Sequence, residues 1–251
     1  MVRQKLWLLS ISLLAWGCED APKEKPSEAA SAVAAAKSEP APEPPKPSAP
    51  TLFIDEQGPR VGMESANLNE PGGRQKLAEI IANVRGYLSA GDVRLNVDRK
   101  AKPEWVAAYL TELGKQQVSQ VSVRTPSRPE FPLEVIFAPE ERAVQAPPCT
   151  VVAMITEDRG TAVWKLSGGT AGKRPKGMAG PDLSMTQDSI ARLAKACNGG
   201  GALIVSGAKG VEWGLVYDLA ASAKMIPGTR FDLVVAPSRT PTPGHKVELG
   251  P

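Results

Sequence analysis

From residue 52 onward the apolar positions of this chain switch repeatedly between two periods. Val93, Leu95 and Val97 interleave with Arg94, Asn96 and Asp98, a period of two that marks a strand with one buried and one wet face. Leu77, Ile80, Ile81, Val84 and Leu88 instead keep the i, i+3, i+4, i+7 spacing of a single helical stripe. Before them, Leu52-Phe53-Ile54, a turn over Asp55 to Pro59 and a return near Arg60 to Met63 form a hairpin signature. After them come a second helical stripe (Val106, Tyr109, Leu110, Leu113) and a β-branched run from Val118 to Val123. The predicted order is hairpin, helix, strand, helix, strand, with an extra strand at Leu133 to Phe137.

The same order then returns. Val151 to Ile155 and Ala162 to Leu166 flank the turn Glu157-Asp158-Arg159-Gly160, and Ile190, Leu193, Ala194 and Cys197 make a helical stripe. Asn198-Gly199-Gly200-Gly201 is a helix stop. Leu203-Ile204-Val205 is apolar throughout, which predicts a strand more covered than its alternating counterpart. A helix with Trp213, Val216, Tyr217 and Ala220 leads to a strand from Phe231 to Val235. The two second helices share a spelling: Glu104-Trp105 with Tyr109, and Glu212-Trp213 with Tyr217, a spacing of 108 positions. That spacing is too long for a solenoid repeat and suits a whole small domain. The Trp and Tyr of these helices read as core with a polar rim. The fold class is therefore α+β, with two tandem copies at 51–138 and 149–239, a linker at 139–148 and a tail at 240–251 expected to be flexible.

Composition changes the picture only at the start of the chain. Arg3 and Lys5 precede an apolar run from Leu6 to Trp16, about half the ~20 residues of a membrane span, so residues 1–17 read as a signal peptide. Leu14-Ala15-Trp16-Gly17-Cys18 resembles the lipobox of bacterial lipoproteins, which implies cleavage before Cys18 and lipid on it; Trp16 and the displaced Leu14 depart from the usual spelling. After Cys18 the tether 18–50 is, apart from Asp20, Ala, Pro, Glu, Lys and Ser with Val33 as the one large apolar side chain, a composition that cannot bury a core and predicts a disordered tether. The expected address is the periplasm, lipid-anchored to an envelope membrane, inner or outer undetermined. A net charge of +3 gives no footing for a nucleic-acid partner.

The order and spacing of residues 51–127 resemble the periplasmic domain of the ExbD/TolR biopolymer-transport family. The residues that carry this are the strand Val93 to Asp98, the helix around Glu104-Trp105, Leu113-Gly114 as the glycine turn, and Val121-Ser122-Val123-Arg124-Thr125. Residues 150–238 resemble it more weakly, with Ser206 where Asp98 stands. The resemblance implies binding to peptidoglycan or to subunits of a Tol- or Ton-type motor. It also implies a habit of pairing, which suggests that the two copies pack as an intrachain pseudo-dimer in a monomeric chain. Family members carry a proton-binding aspartate in a membrane helix; Asp20 lies beyond the cleavage site and cannot replace it, so ion conduction is not expected.

Candidate chemistry is sparse. The single histidine, His245, falls in the tail, so nucleophilic catalysis lacks a base and no catalytic residue is assigned. No cofactor or metal site is read from the spacing of Cys, His and acids. Gly168 to Lys173 is one residue short of a phosphate loop, and Arg174 replaces its Ser/Thr. Lys173, Arg174 and Lys176 remain as candidate contacts for phosphate or carboxylate groups, against the plainer reading of a solvated loop. Cys149 and Cys197 are an even pair in an oxidising compartment and a candidate disulfide. Against a bridge, Cys197 shares the apolar stripe of its helix, and the up-down order sets it opposite the start of the strand after Cys149. The expected function is a non-enzymatic binding module; the alternative is a structural envelope lipoprotein that spaces or braces without a specific partner, with an enzyme third.

Overall fold

The computed structural model describes residues 50–88, 92–197 and 200–250. The expected signal peptide, the expected lipidation site Cys18 and nearly all of the expected tether lie outside them. Among the described residues no helix is long and apolar enough to cross a membrane.

The chain runs β1 (Leu52–Asp55), β2 (Gly58–Val61), β3 (Glu64–Ser65), α1 (Gly73–Asn83), α2 (Arg85–Leu88), β4 (Val93–Val97), α3 (Pro103–Lys115), β5 (Val121–Arg124) and β6 (Glu134–Phe137). After a 3-10 turn at Glu140–Ala143 come β7 (Val151–Ile155), β8 (Thr161–Lys165), β9 (Gly172–Arg174), β10 (Lys176–Gly177), β11 (Gly180–Pro181), α4 (Leu183–Lys195), β12 (Gly200–Gly207), α5 (Trp213–Lys224) and β13 (Arg230–Val235). The fold is mixed α+β with two mixed sheets, ordered β3-β2-β1-β4-β5-β6 and β13-β12-β7-β8-β9. In each sheet the first strand of a hairpin lies parallel to the strand that follows the next helix, and that strand lies parallel to the one after. Hairpin, helix, strand, helix, strand therefore occurs twice.

The registers allow position-by-position comparison. Phe53 pairs with Asn96 and Asn96 with Arg124; at the same places in the second sheet Val152 pairs with Ile204 and Ile204 with Val235. Beside them Arg94 and Ser122 correspond to Ala202 and Leu233, and Arg60 corresponds to Trp164. The face away from the helices is thus polar in the first sheet and apolar in the second. The first is wet, with Arg94 and Arg124 exposed. The second is closed, with Val152, Ile204 and Val235 fully buried and Trp164 nearly so.

What closes it is the segment expected to be loose. The Trp164 indole N–H donates to the His245 carbonyl at 2.9 Å, Val247 N to Leu166 O at 2.9 Å, and Gly169 N to Gly244 O at 2.8 Å, while Val247 is buried. The buried Glu140 carboxylate, in the linker, accepts from Ser238 N at 2.7 Å and Gly250 N at 3.1 Å. The flexible-tail expectation is corrected: an apolar sheet face cannot be left to water, and residues 240–250 with the linker cover it.

Residues 47–251 form one compact unit, and a single core cluster extends from Leu52 to Val247. The two sheets meet where β6 lies beside β13, with Ala138 N donating to Val234 O at 2.8 Å. Above that seam, α5 is buried almost all round. Its N-terminal N–H groups find carbonyls in the first repeat: Trp213 N reaches Ala101 O at 2.8 Å and Gly214 N reaches Arg99 O at 2.7 Å. The Trp213 indole donates to Thr125 Oγ1 at 2.9 Å, and the Tyr217 hydroxyl to Pro132 O at 3.1 Å. Asp218, 1% exposed, takes two hydrogen bonds from Arg99 at 2.8 and 3.1 Å. These contacts are not mirrored. At the 108-residue offset, Arg99 and Asp218 correspond to Gly207 and Leu110, which form no ion pair, and Trp105 lies under its neighbour Lys102. The hydrogen bonds and ion pair are therefore one-sided, although the same part of each repeat meets at the contact: Pro103, at the start of α3, stands beside Gly207 as Arg99 stands beside Gly214 at the start of α5.

Two outcomes follow. Deleting residues 240–251 should cost on the order of 3 kcal/mol, from the apolar face re-exposed and the hydrogen bonds lost; urea unfolding followed by tryptophan emission measures it, and an unchanged midpoint would show that the tail covers nothing. Arg99→Ala should cost about 2 kcal/mol, less than the usual loss for a broken buried pair because Arg99 is a third exposed and Arg128 stands 3.8 Å from Asp218. Adding Asp218→Asn should recover part of that loss in a double-mutant cycle.

Candidate functional site

A cleft of about 830 Å³ opens at the carboxyl ends of the parallel strands β7 and β12, the end at which ligands collect in open sheets with parallel strands. Its floor includes Met154 and Ala208, which are buried, with Thr156 and Thr161. One wall is Thr240-Pro241-Thr242-Pro243, held in place by the docking of the tail just described. The prolines fix that wall's backbone and the threonines offer hydroxyls to the cavity.

Charged groups line the rim in strand order. Lys209 follows β12, Glu157 and Asp158 form the β7–β8 turn, and Lys173 and Arg174 lie on the edge strand β9, where Arg174 pairs with Thr161. None of these five side chains is in an ion pair among the described residues; the salt bridges all lie elsewhere. Asp158 Oδ1 accepts from the Thr156 hydroxyl and from Gly160 N, and those bonds hold its carboxyl below the usual carboxylate range. Its Oδ2 makes no hydrogen bond or ion pair among the described residues. Arg174 Nε is buried and makes no hydrogen bond. Gly160 is required where it stands: a Cβ there would lie 2.5 Å from the Arg174 carbonyl, so glycine lets the acidic turn press against the basic strand.

The three basic residues expected from the sequence separate. Lys173 and Arg174 line the cleft, whereas Lys176 lies on β10, outside the lining, though its charge helps to keep Asp158 ionised. The glycine-rich stretch before them leads into a strand, not a loop around a phosphate. Glu157 and Asp158 were legible as turn residues but not as a site, Lys209 carried no signal, only tertiary structure gathers the three, and the Thr-Pro wall belongs to the supposed loose tail. A second hollow, about 540 Å³, lies at the equivalent strand ends of the first sheet between Phe53, Asn96, Arg124 and Leu133. Among the described residues no group of three or more His, Cys, Asp and Glu could hold a metal ion. His245 is exposed and absent from the cleft lining; its carbonyl serves Trp164.

Cys149 and Cys197 are bridged, with Cα atoms 5.5 Å apart. The objections to a bridge fail for topological reasons. α4 ends at Lys195, so Cys197 has left the helix. β12 lies parallel to β7, so the chain leaving α4 must return to the end where β7 begins, beside Cys149. The bridge closes a 48-residue separation and should contribute about 4 kcal/mol in the chain-entropy view. In the Cys18→Ser chain, thiol titration after unfolding without reductant should find no free thiol; two would refute the bridge. No family model, curated protein or solved structure matches this chain.

Proposed function

We propose that this chain is a non-enzymatic binding module of the bacterial cell envelope, lipid-anchored through Cys18 and carrying two ExbD/TolR-like repeats away from the membrane on its Pro-rich tether. The observation that carries a binding role is the cleft at the strand ends, where five charged side chains stand without ion-pair partners beside a fixed Thr-Pro wall. Charged groups on a folded surface are commonly solvated singly; their convergence on one concave site is what favours a ligand. The hairpin, helix, strand, helix, strand order of both repeats supports the family likeness, and with it peptidoglycan or a Tol- or Ton-type motor subunit as the partner.

The anchor and the binding role separate experimentally. Cys18→Ser should move the protein from the membrane fraction to the soluble periplasm, and retention in the membrane would refute lipidation. For binding, purified sacculi and detergent-solubilised motor complexes are each incubated with the full chain and with a Lys173→Ala/Arg174→Ala variant. Capture by one of them, reduced at least five-fold in the variant, is the expected result. Capture by neither favours a bracing lipoprotein.

A further inference from the structure

The order of charges along the cleft narrows the ligand beyond the reading just given, on which this inference rests. The sheet order β12-β7-β8-β9 fixes it: Lys209 at the end of β12, then the acidic Glu157-Asp158 turn between β7 and β8, then Lys173 and Arg174 on β9. The rim is therefore base, acid, base. From β12 to β9 is three strand spacings, roughly 14 Å at about 4.8 Å each, which an extended peptide covers with about four residues.

A uniform anion such as inorganic phosphate or a polyphosphate chain does not match this rim, because its middle would face the two carboxylates. A simple cation fares no better, since the acids are flanked by Lys209 on one side and Lys173 with Arg174 on the other. The complement is a chain with an ammonium between two carboxylates. We infer that the cleft binds a short extended peptide bearing a free amine flanked by two carboxylates, with the amine at Asp158 and Glu157 and the carboxylates at Lys209 and at Lys173 with Arg174.

Three further observations fit such an occupant. Asp158 stays ionised while one oxygen is held by its own turn, leaving Oδ2 to receive an ammonium. Arg174 has no ion pair within contact distance that a ligand carboxylate would have to break, although Asp182 is near enough to feel its charge, and its buried Nε lacks the acceptor that a carboxylate would supply after a small shift of the guanidinium. The Thr240 to Pro243 wall gives hydroxyls for peptide groups and a rigid apolar surface between them. Such a charge pattern occurs in peptides of the cell wall and can occur in segments of proteins; the shared chemistry is the inference, and the sacculus and motor-complex captures distinguish the sources.

The test uses the full chain in detergent at low ionic strength and the peptide acetyl-Glu-Ala-Lys-Ala with a free carboxyl terminus, followed by calorimetry and by NMR shifts of backbone amides. Binding should be millimolar or tighter and should move the amides of residues 157–158, 173–174 and 209. Acetylating the lysine, or amidating the terminus and replacing Glu by Gln, should each weaken it at least five-fold. Lys209→Ala and Arg174→Ala should do the same; Lys209 is exposed and Arg174 half-buried, and an unmoved melting temperature checks the fold of each. Undiminished binding of either modified peptide, or shifts confined to other residues, would overturn the inference. So would no binding at ten millimolar. Sacculus capture that persists in that case would leave the envelope-binding role standing through another surface.

Discussion

A carboxylate removed from water needs partners for its charge, and Asp218, whose partner is a cation from the other repeat, imposes that condition on the whole molecule. It stands on α5, a helix of the second repeat, yet its partner Arg99 belongs to the first, in the loop that leaves β4. The same loop gives its carbonyls to the start of α5, and Gly214 is needed there because a Cβ would lie 2.8 Å from the Arg99 side chain. Arg99 also donates to Pro126 O, which ties the pair to the segment after β5. Ion pair, helix start and close packing thus converge on a few residues, and each presupposes that both repeats are folded and in contact. This is why one core cluster runs through a chain whose sequence reads as two domains.

The repeats have diverged in what they ask of their shared pattern. The Glu-Trp-x-x-x-Tyr spelling places a Trp and a Tyr in the core twice, but the polar tips go to different places. Tyr109 donates to Arg60 O in its own hairpin, and Trp105 packs under Lys102. Tyr217 and Trp213 instead donate to Pro132 and Thr125 across the seam. One copy uses the motif to close itself and the other uses it to hold its neighbour. The sheet faces diverge in the same sense: arginines and an asparagine stand in the first where the second has aliphatic side chains under the C-terminal segment.

Local periodicity carried most of this architecture. Alternation at Val93 to Val97 and continuity at Leu203 to Val205 foretold a wet and a covered strand, as the burial of each confirms. What covered the second strand was not legible, because residues 240–250 have no period and are held largely by backbone hydrogen bonds, with Val247 as a single buried anchor. Gly114 was misread for a related reason. It is helical, and the left-handed turn belongs to Gln117; the missing Cβ at Gly114 makes room for Pro139 of the linker, 2.7 Å from where it would stand. A glycine that relieves a tertiary clash is indistinguishable in sequence from one that makes a turn. The cleft was half visible: Lys173 and Arg174 stood out as a run of charge, while their acidic counterparts lay in an ordinary hairpin turn. The disulfide was legible as an even pair of cysteines and is present; the argument against it came from treating the helix as reaching Cys197.

The seam between β6 and β13 has a consequence for life at high local density. Where β6 abuts β13, joined by the Ala138 N to Val234 O hydrogen bond, two sheet edges shield one another, and among the described residues the far edges of the two large sheets are β3 and β9, two and three residues long. Strand-to-strand growth between molecules needs a long bare edge, and these two are too short to template much pairing. Copies at high concentration can therefore jostle there without zipping together.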